Sequence, residues 1–250
     1  MAGFEGRTAL VTGAGDGMGR SHALLLAERG SNVIVQDVNP DGARETADAI
    51  AKLGRRSHVI ACDISDVAAF RAGLAEAEKA VAPVDILVNN AGVSGRSMRF
   101  EDVTEDIFDR MIAVHVKGTF FASQAVMPGM RDRGWGRVVN ISSTYGIAGA
   151  RNASHYAGAK AALLGFTKTW ARELAPYNVT VNAVAPGFIK TNMTMSNRTE
   201  ADLPERIKPI LKGRAGVPMD ISYAVVWLAS EEADFVTGQV ISPNGGEYIT

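Results

Sequence analysis

The chain has 250 residues, 26 basic and 27 acidic side chains, a formal net charge of -1, 46% hydrophobic and 21% charged residues. That length suits one large α/β domain that needs no disulfide or structural metal, and the composition excludes disorder as the main state. Balanced charge argues against a nucleic-acid partner, and no apolar run reaches the roughly 20 residues of a bilayer span. The N-terminal stretch lacks the basic and apolar regions of a secretory signal. One cysteine, Cys62, and four scattered histidines leave no disulfide and no zinc-type cluster. The expected setting is the cytoplasm, with no metal, no membrane and no nucleic acid.

In chain order, short β-branched runs alternate with longer helical patterns. Strands are predicted at 8–12, 32–37, 57–61, 85–88, 137–141, 180–184 and 239–242, and most are nearly continuous apolar runs. Helices are predicted at 18–29, 40–53, 67–80, 105–132, 155–174 and 218–230. Asn39-Pro40 reads as an N-cap followed by proline at the first helical position. The alternation implies right-handed crossovers and one doubly wound, Rossmann-like α/β domain of about seven parallel strands over 1–250. Ligands of such sheets bind beyond the carboxyl ends of the strands, so the residues after each strand carry the functional reading.

After the first strand comes Thr12-Gly13-Ala14-Gly15-Asp16-Gly17-Met18-Gly19, entering a helix directly. Met18 stands where the strict G-x-G-x-x-G spacing has its third glycine. Glycines permit a tight turn and close approach to a pyrophosphate, and the helix start presents free N–H groups. The second strand ends in Asp37, placed to accept from an adenosine ribose and to repel a 2′-phosphate. A unit-charge pair at about 4 Å is worth roughly 4 kcal/mol at an effective dielectric near 20, so Asp37 predicts NAD (NADH) rather than NADP. Asp63-Ile64 follow the third strand, where Asp63 is a candidate for the adenine amino group, against an ordinary turn residue. Asn89-Asn90-Ala91-Gly92 follow the fourth, with Asn89 bridging strand ends. Cys62 is read as small core filler.

After the fifth strand lies Ser142-Ser143, and thirteen residues past Ser143 stands Tyr156, with Lys160 at i+4 on the same helix face. A phenol near pKa 10 is a poor base at neutral pH, and a nearby ammonium favours its phenolate. The pair is therefore expected to do general acid–base work.

At this point the chain resembles the short-chain dehydrogenase/reductase family along essentially its whole length. The resemblance rests on the glycine turn, Asp63, Asn89-Asn90-Ala91-Gly92, Ser143, Tyr156, Lys160, Pro186-Gly187 and Thr237-Gly238-Gln239-Val240. It implies Tyr156 as general acid/base, Ser143 on the substrate oxygen, Lys160 on the nicotinamide ribose, and Ile189 and Thr191 at the carboxamide end of the cofactor. The family usually has an asparagine where this chain has His115, and that asparagine helps hold a water that carries protons from the lysine to solvent. Histidine titrates near neutrality, so a modified relay is expected at His115, against a buried histidine without kinetic role. The family's lid corresponds to about 188–213, where Met193 and Met195 suit a compact hydrophobic substrate and Arg198, Arg206, Lys208 and Lys212 are read either as contacts for a phosphate-bearing carrier or as plain surface among Glu200, Asp202 and Glu205. Arg96 and Arg151 are candidate polar contacts, and His155 is a site-edge residue. Ser242-Pro243-Asn244-Gly245-Gly246 departs from the family's commoner valine–aspartate–glycine–glycine, at an end that implies a homotetramer.

The leading expectation is an NAD-dependent enzyme interconverting a small-molecule secondary alcohol and a ketone. The alternative is a 3-oxoacyl-thioester reductase, weakened by Asp37 because biosynthetic reductases more often use NADPH. A catalytically weak dinucleotide-binding regulatory subunit is the third reading, opposed by the intact Ser143, Tyr156 and Lys160.

Overall fold

In the computed structural model, residues 3–95, 97–196 and 199–249 are described. Seven strands form one parallel sheet in the order β3-β2-β1-β4-β5-β6-β7. These are β1 (Thr8–Thr12), β2 (Asn32–Asp37), β3 (Ser57–Ala61), β4 (Ile86–Asn89), β5 (Gly136–Ile141), β6 (Val179–Val184) and β7 (Val240–Ile241). Among the described residues ten α-helices accompany them: α1 (Gly17–Glu28), α2 (Pro40–Lys52), α3 (Val67–Ala80), α4 (Glu105–Ile112), α5 (Thr119–Arg133), α6 (Thr144–Ala148), α7 (Ser154–Leu174), α8 (Asn192–Met195), α9 (Leu203–Ile207) and α10 (Pro218–Ala229).

The strand side chains alternate between two cores, as period-2 geometry requires. Ala9, Val11, Val33, Val35, Ile86 and Val88 pack under α1, α2 and α10 with Leu26, Ile50 and Val225. Leu10, Ile34, Leu87 and Val138 pack under α3, α5 and α7 with Phe70, Val126 and Trp170. Both faces are covered, which explains the continuous apolar strand sequences. Asn39 caps α2 as its sequence predicts, accepting from the N–H groups of Asp41 and Gly42. Asn89 bridges β4 and β5: its Nδ2 donates to Asn140 Oδ1 (2.8 Å) and Ser123 Oγ (2.9 Å).

Two expected elements differ. The helix predicted over 105–132 is interrupted by a π-helical turn at Ala113–Gly118. The widened turn buries Val114 and His115 together and brings Gly118 against Ile64, where an added Cβ would lie 2.9 Å from Ile64 Cγ2. The last strand is only Val240–Ile241: at its edges the Gln239 carbonyl still accepts from Ala183 N–H while its N–H turns to Asn182 Oδ1, and Ser242 Oγ donates to the Ala185 carbonyl.

Candidate active site

A cavity of about 370 Å³ lies along the carboxyl ends of β3, β2, β1, β4, β5 and β6. Its wall takes in Gly13, Asp16, Gly17, Met18, Gly19, Asp37, Asp63, Ile64, Asn90, Ala91 and Gly92. It also takes in His115, Ser143, Tyr156, Lys160, Pro186, Gly187, Ile189 and Thr191. Residues from six separate strand ends thus meet in one space, across the reversal of strand order between β1 and β4.

The glycine turn is fixed by sterics. Gly13 and Gly17 have φ of +63° and +54°, and a Cβ on Gly19 would sit 2.0 Å from the Gly13 carbonyl oxygen. The turn is laced to its neighbours: Asn90 Nδ2 donates to the carbonyls of Thr12 (2.9 Å) and Gly13 (3.1 Å), and Thr12 Oγ1 accepts from the N–H groups of Asn90 and Ala91. The Asp37 carboxylate is oriented by two backbone amides, Gly15 N–H (2.7 Å) and Asn39 N–H (2.8 Å). Asp16 occupies the N-cap of α1 but makes no side-chain bond to the helix. Its carboxylate accepts instead from Asn192 Nδ2 (2.9 Å). The first N–H groups of α1 are therefore open to an anion, the arrangement that suits a dinucleotide pyrophosphate.

At the other end, α7 presents Tyr156 and Lys160 one turn apart. Lys160 is buried, donates to the Ile141 carbonyl (2.7 Å), and has its Nζ 5.8 Å from the Tyr156 ring centroid. Burial pushes the Lys160 ammonium down to about 7. Burial also pushes the Tyr156 phenol up to about 12, opposed by the Ser143 hydroxyl and reinforced by Tyr145. The lowering expected from Lys160 is not among the causes of this shift, and burial reverses its sign. Both shifts have one origin: a low-dielectric pocket disfavours either charge alone, and a phenolate–ammonium pair relieves both. Ser142 supports the helix from below, its Oγ donating to the Lys160 carbonyl (2.8 Å).

His115 stands between these ends. Its ring meets Tyr156 edge-on at 5.6 Å, and its Nε2 lies 3.0 Å from the Val93 carbonyl and 3.1 Å from the Val93 N–H. Gly92 makes room for it: a Cβ there would be 2.5 Å from the ring. Burial, and then the charge on Lys160, hold its pKa well below 6.5, against a bond to Val93. The expectation that it titrates near neutrality is thus corrected; it is a neutral imidazole. Its Nδ1 is buried and has no hydrogen-bond partner among the described residues.

The lid end differs from expectation in its charges. Met193 and Thr194 reach the cavity. Arg206 pairs with Glu247 (2.5 Å) and lies over the Phe188 ring. Lys208 approaches Glu205 at 3.8 Å. Arg151 lines a separate shallow hollow with Arg99 and Phe100, and His155 is absent from the cavity wall. Arg96, Asn197 and Arg198 lie outside the described residues. Asn244, the departure near the C-terminus, organises its turn by accepting from Gly246 N–H and donating to the Tyr248 carbonyl. Among the wall residues without a sequence motif are Gln36, whose amide links the Gly13 N–H to the Cys62 carbonyl, Val93, and Arg110, which pairs with Asp63. Only the i+4 spacing of Arg110 before the buried Val114 hints that it faces the site.

Comparison with known proteins agrees with this geometry. The sequence pattern of the family described as short chain dehydrogenase matches residues 7–202. The 3-oxoacyl-(acyl-carrier-protein) reductase of Vibrio harveyi is 39% identical over 248 residues, covering 98% of this chain and 99% of the relative. Levodione reductase superposes with a TM-score of 0.94 at 31% identity, covering 98% of each chain. A 3-oxoacyl-(acyl-carrier-protein) reductase from Brucella melitensis with bound NAD superposes with a TM-score of 0.89 at 35% identity, covering 98% of this chain and 92% of that one. No helix among the described residues is long and apolar enough to cross a membrane. The chain belongs to the short chain dehydrogenase family, and is an oxidoreductase whose cavity is built for a nicotinamide dinucleotide.

Proposed function

We propose that this chain interconverts a 3-oxoacyl thioester and its 3-hydroxyacyl form with NAD(H). The observation that carries the chemistry is the convergence of Ser143, Tyr156 and Lys160 on the same cavity as the uncapped glycine turn. The thioester is supported by the Vibrio and Brucella relatives, both named as 3-oxoacyl-(acyl-carrier-protein) reductases, which favours this substrate over a simple secondary alcohol or ketone. NAD over NADP is supported by the oriented Asp37 carboxylate and by the NAD in the Brucella neighbour.

The residues divide the work. The α1 start, with Gly13, Gly17, Met18 and Gly19, holds the pyrophosphate, and Asp37 the adenosine ribose. Lys160 holds the nicotinamide ribose, and Ile189 and Thr191 hold the carboxamide end. The bound dinucleotide supplies or accepts the hydride. The Ser143 hydroxyl donates to the substrate oxygen and orients it. Tyr156 Oη gives its proton to that oxygen in reduction and takes it back in oxidation. The buried Lys160 stabilises the phenolate left behind. His115, as a neutral imidazole, passes the replacement proton through the polar atoms around Lys160. The protein works as a cytoplasmic homotetramer, supported by the exposed aromatic groups Tyr223 and Trp227 on α10 and Phe235 after it. The segment 188–213 acts as the substrate lid.

The test is initial rates with NADH and NADPH against acetoacetyl-CoA and a panel of plain ketones, with Tyr156→Phe as the blank. Acetoacetyl-CoA turnover with NADH, falling at least about 100-fold in Tyr156→Phe while NADH still binds, is expected. Turnover of ketones alone overturns the thioester, and preference for NADPH overturns the role of Asp37. His115→Asn with an unchanged pH–rate profile overturns the relay.

A further inference from the structure

We infer that Glu247 is a positioning residue for the reaction: its carboxylate fastens both stems of the segment proposed as the lid to one turn near the end of the chain, and so sets where the lid's cavity-lining residues lie. This rests on the lid and substrate readings above and deepens them.

The segment leaves the sheet after β6 and returns before α10, and both stems meet the turn at 243–247. At the outgoing stem, Gly187 N–H donates to the Pro243 carbonyl (3.3 Å) and Phe188 N–H to Glu247 Oε2 (3.3 Å). The approach is close enough that a Cβ on Gly187 would sit 2.8 Å from Asn244 Cα. At the returning stem, Lys212 N–H donates to the Gly245 carbonyl (3.0 Å), and a Cβ on Gly245 would sit 2.7 Å from Ile210 Cγ2. Arg206 on α9 donates from Nη1 to Glu247 Oε1 at 2.5 Å. One carboxylate thus holds both stems, one oxygen to each. The Arg206 guanidinium completes the triangle by lying 4.6 Å above the centre of the Phe188 ring.

Glu247 is set back from the cavity wall, whereas Gly187, Ile189, Thr191, Met193 and Thr194 form part of it. The link between them is Phe188, held from two sides. Its N–H goes to Glu247, its carbonyl accepts from Gly216 N–H (3.0 Å), and Lys190 N–H returns to the Gly216 carbonyl (2.8 Å). The register of Ile189 and Thr191 against the cavity follows from these bonds. The Arg206 and Glu247 side chains are 21% and 15% exposed, against 44% and 72% for the lid's other long-reaching pair, Lys190 with Glu200. A sheltered, charge-assisted bond is the stronger of the two. Without Glu247, the Arg206 guanidinium and the Phe188 N–H lose this acceptor together.

The experiment compares the full wild-type chain with Glu247→Ala, Glu247→Gln, Arg206→Ala and the double variant Glu247→Ala/Arg206→Ala. Steady-state kinetics with acetoacetyl-CoA and NADH are read beside amide hydrogen exchange resolved by peptide. In Glu247→Ala, KM should rise about fivefold and kcat change less than about twofold, because a loosened cover weakens binding without touching Ser143, Tyr156 or Lys160. Exchange should quicken in 187–191 and 203–212 while β1, β4 and β5 stay protected. Glu247→Gln keeps an acceptor for Phe188 N–H but loses the charge that holds Arg206, so its KM should fall between wild type and Glu247→Ala. Arg206→Ala should raise KM, and the double variant should be no worse than Glu247→Ala, since the two side chains share one bond. An unchanged KM in Glu247→Ala, a fall in kcat as large as the rise in KM, or faster exchange throughout the sheet overturns the inference. Wild-type turnover of plain ketones, or of nothing, in place of acetoacetyl-CoA overturns the substrate reading instead, and the KM for the ketone or the exchange pattern then decides the role of Glu247.

Discussion

The glycine turn and the lid touch the same cavity but are held by different forces. The turn is locked by backbone contacts from β1, β2 and β4, with glycines wherever a Cβ would strike main chain. The segment proposed as the lid includes two short helices, α8 of four residues and α9 of five, held by side-chain bonds, local between Thr191 and Thr194 and long-range from Arg206 to Glu247 and from Asn192 to Asp16. Backbone locking suits a constant cofactor, and a cover held by side-chain bonds suits a substrate that must enter and leave. Changes in the turn should therefore be all-or-none, whereas changes in the lid should be graded.

The harshest test of that contrast is Gly19→Ala. Its Cβ would lie 2.0 Å from Gly13 O and 2.5 Å from Asn90 Nδ2, and the first of these is backbone. NADH binding, followed by fluorescence titration, should fall more than about 100-fold, a loss of roughly 3 kcal/mol or more. Gly165 on α7 is the control within the same chain. No atom lies within 4 Å of its added Cβ, so Gly165→Ala should raise stability by about 1 kcal/mol through helix propensity alone.

Acid should loosen the turn's support next. His22 on α1 is fully buried, its Nδ1 2.8 Å from Ser222 Oγ on α10, and burial lowers its pKa to about 3. The unfolded chain takes up a proton on this residue below about 6.5, which the fold refuses until about pH 3. Its contribution is intact above 6.5 and is lost as pH falls towards 3, amounting to roughly 2 kcal/mol between pH 7 and pH 5. His115 and His155, also lowered, act with the same sign. Urea melts at pH 7 and pH 5 should show this loss, and His22→Leu should flatten it.

Cofactor choice sharpens the picture at a smaller scale. Asp37→Ser removes the charge that the Gly15 and Asn39 amides hold in place. The ratio of kcat/KM for NADH over NADPH should fall about tenfold, with kcat for NADH little changed. An unchanged ratio would mean that the carboxylate does not face the 2′ position.

How much of this was legible in the sequence follows the range of the forces involved. The strands β1, β2 and β3 and the helix α3 coincide with their predicted spans, because β-branched runs and caps are local signals. The i, i+4 pairing of Tyr156 with Lys160 is likewise local. The sign of the Tyr156 shift is not, since it depends on burial by residues distant in sequence. The π-helical turn was hidden for a similar reason: Ala113–Gly118 reads as ordinary helix until Val93 and Ile64 pack against it. Arg110 reaches Asp63 across 47 positions, beyond any periodicity.

The smallest effect belongs to the bond that joins the two regions. Asp16 is placed as the N-cap of α1, yet its carboxylate turns away to Asn192 Nδ2 at 2.9 Å. A capping aspartate would occupy the N–H groups that a pyrophosphate needs, and such a cap is worth about 1 kcal/mol. Asn192 on the lid therefore keeps the turn open. In Asn192→Ala the carboxylate is released to cap its own helix and to oppose the incoming phosphates. NADH should then bind about two- to threefold more weakly, with kcat nearly unchanged. The effect should vanish when Asp16 is also alanine, because no competitor remains. Persistence of the loss in that double variant would assign Asn192 a direct hold on the dinucleotide instead, and equal affinity in wild type and Asn192→Ala would separate lid from turn altogether.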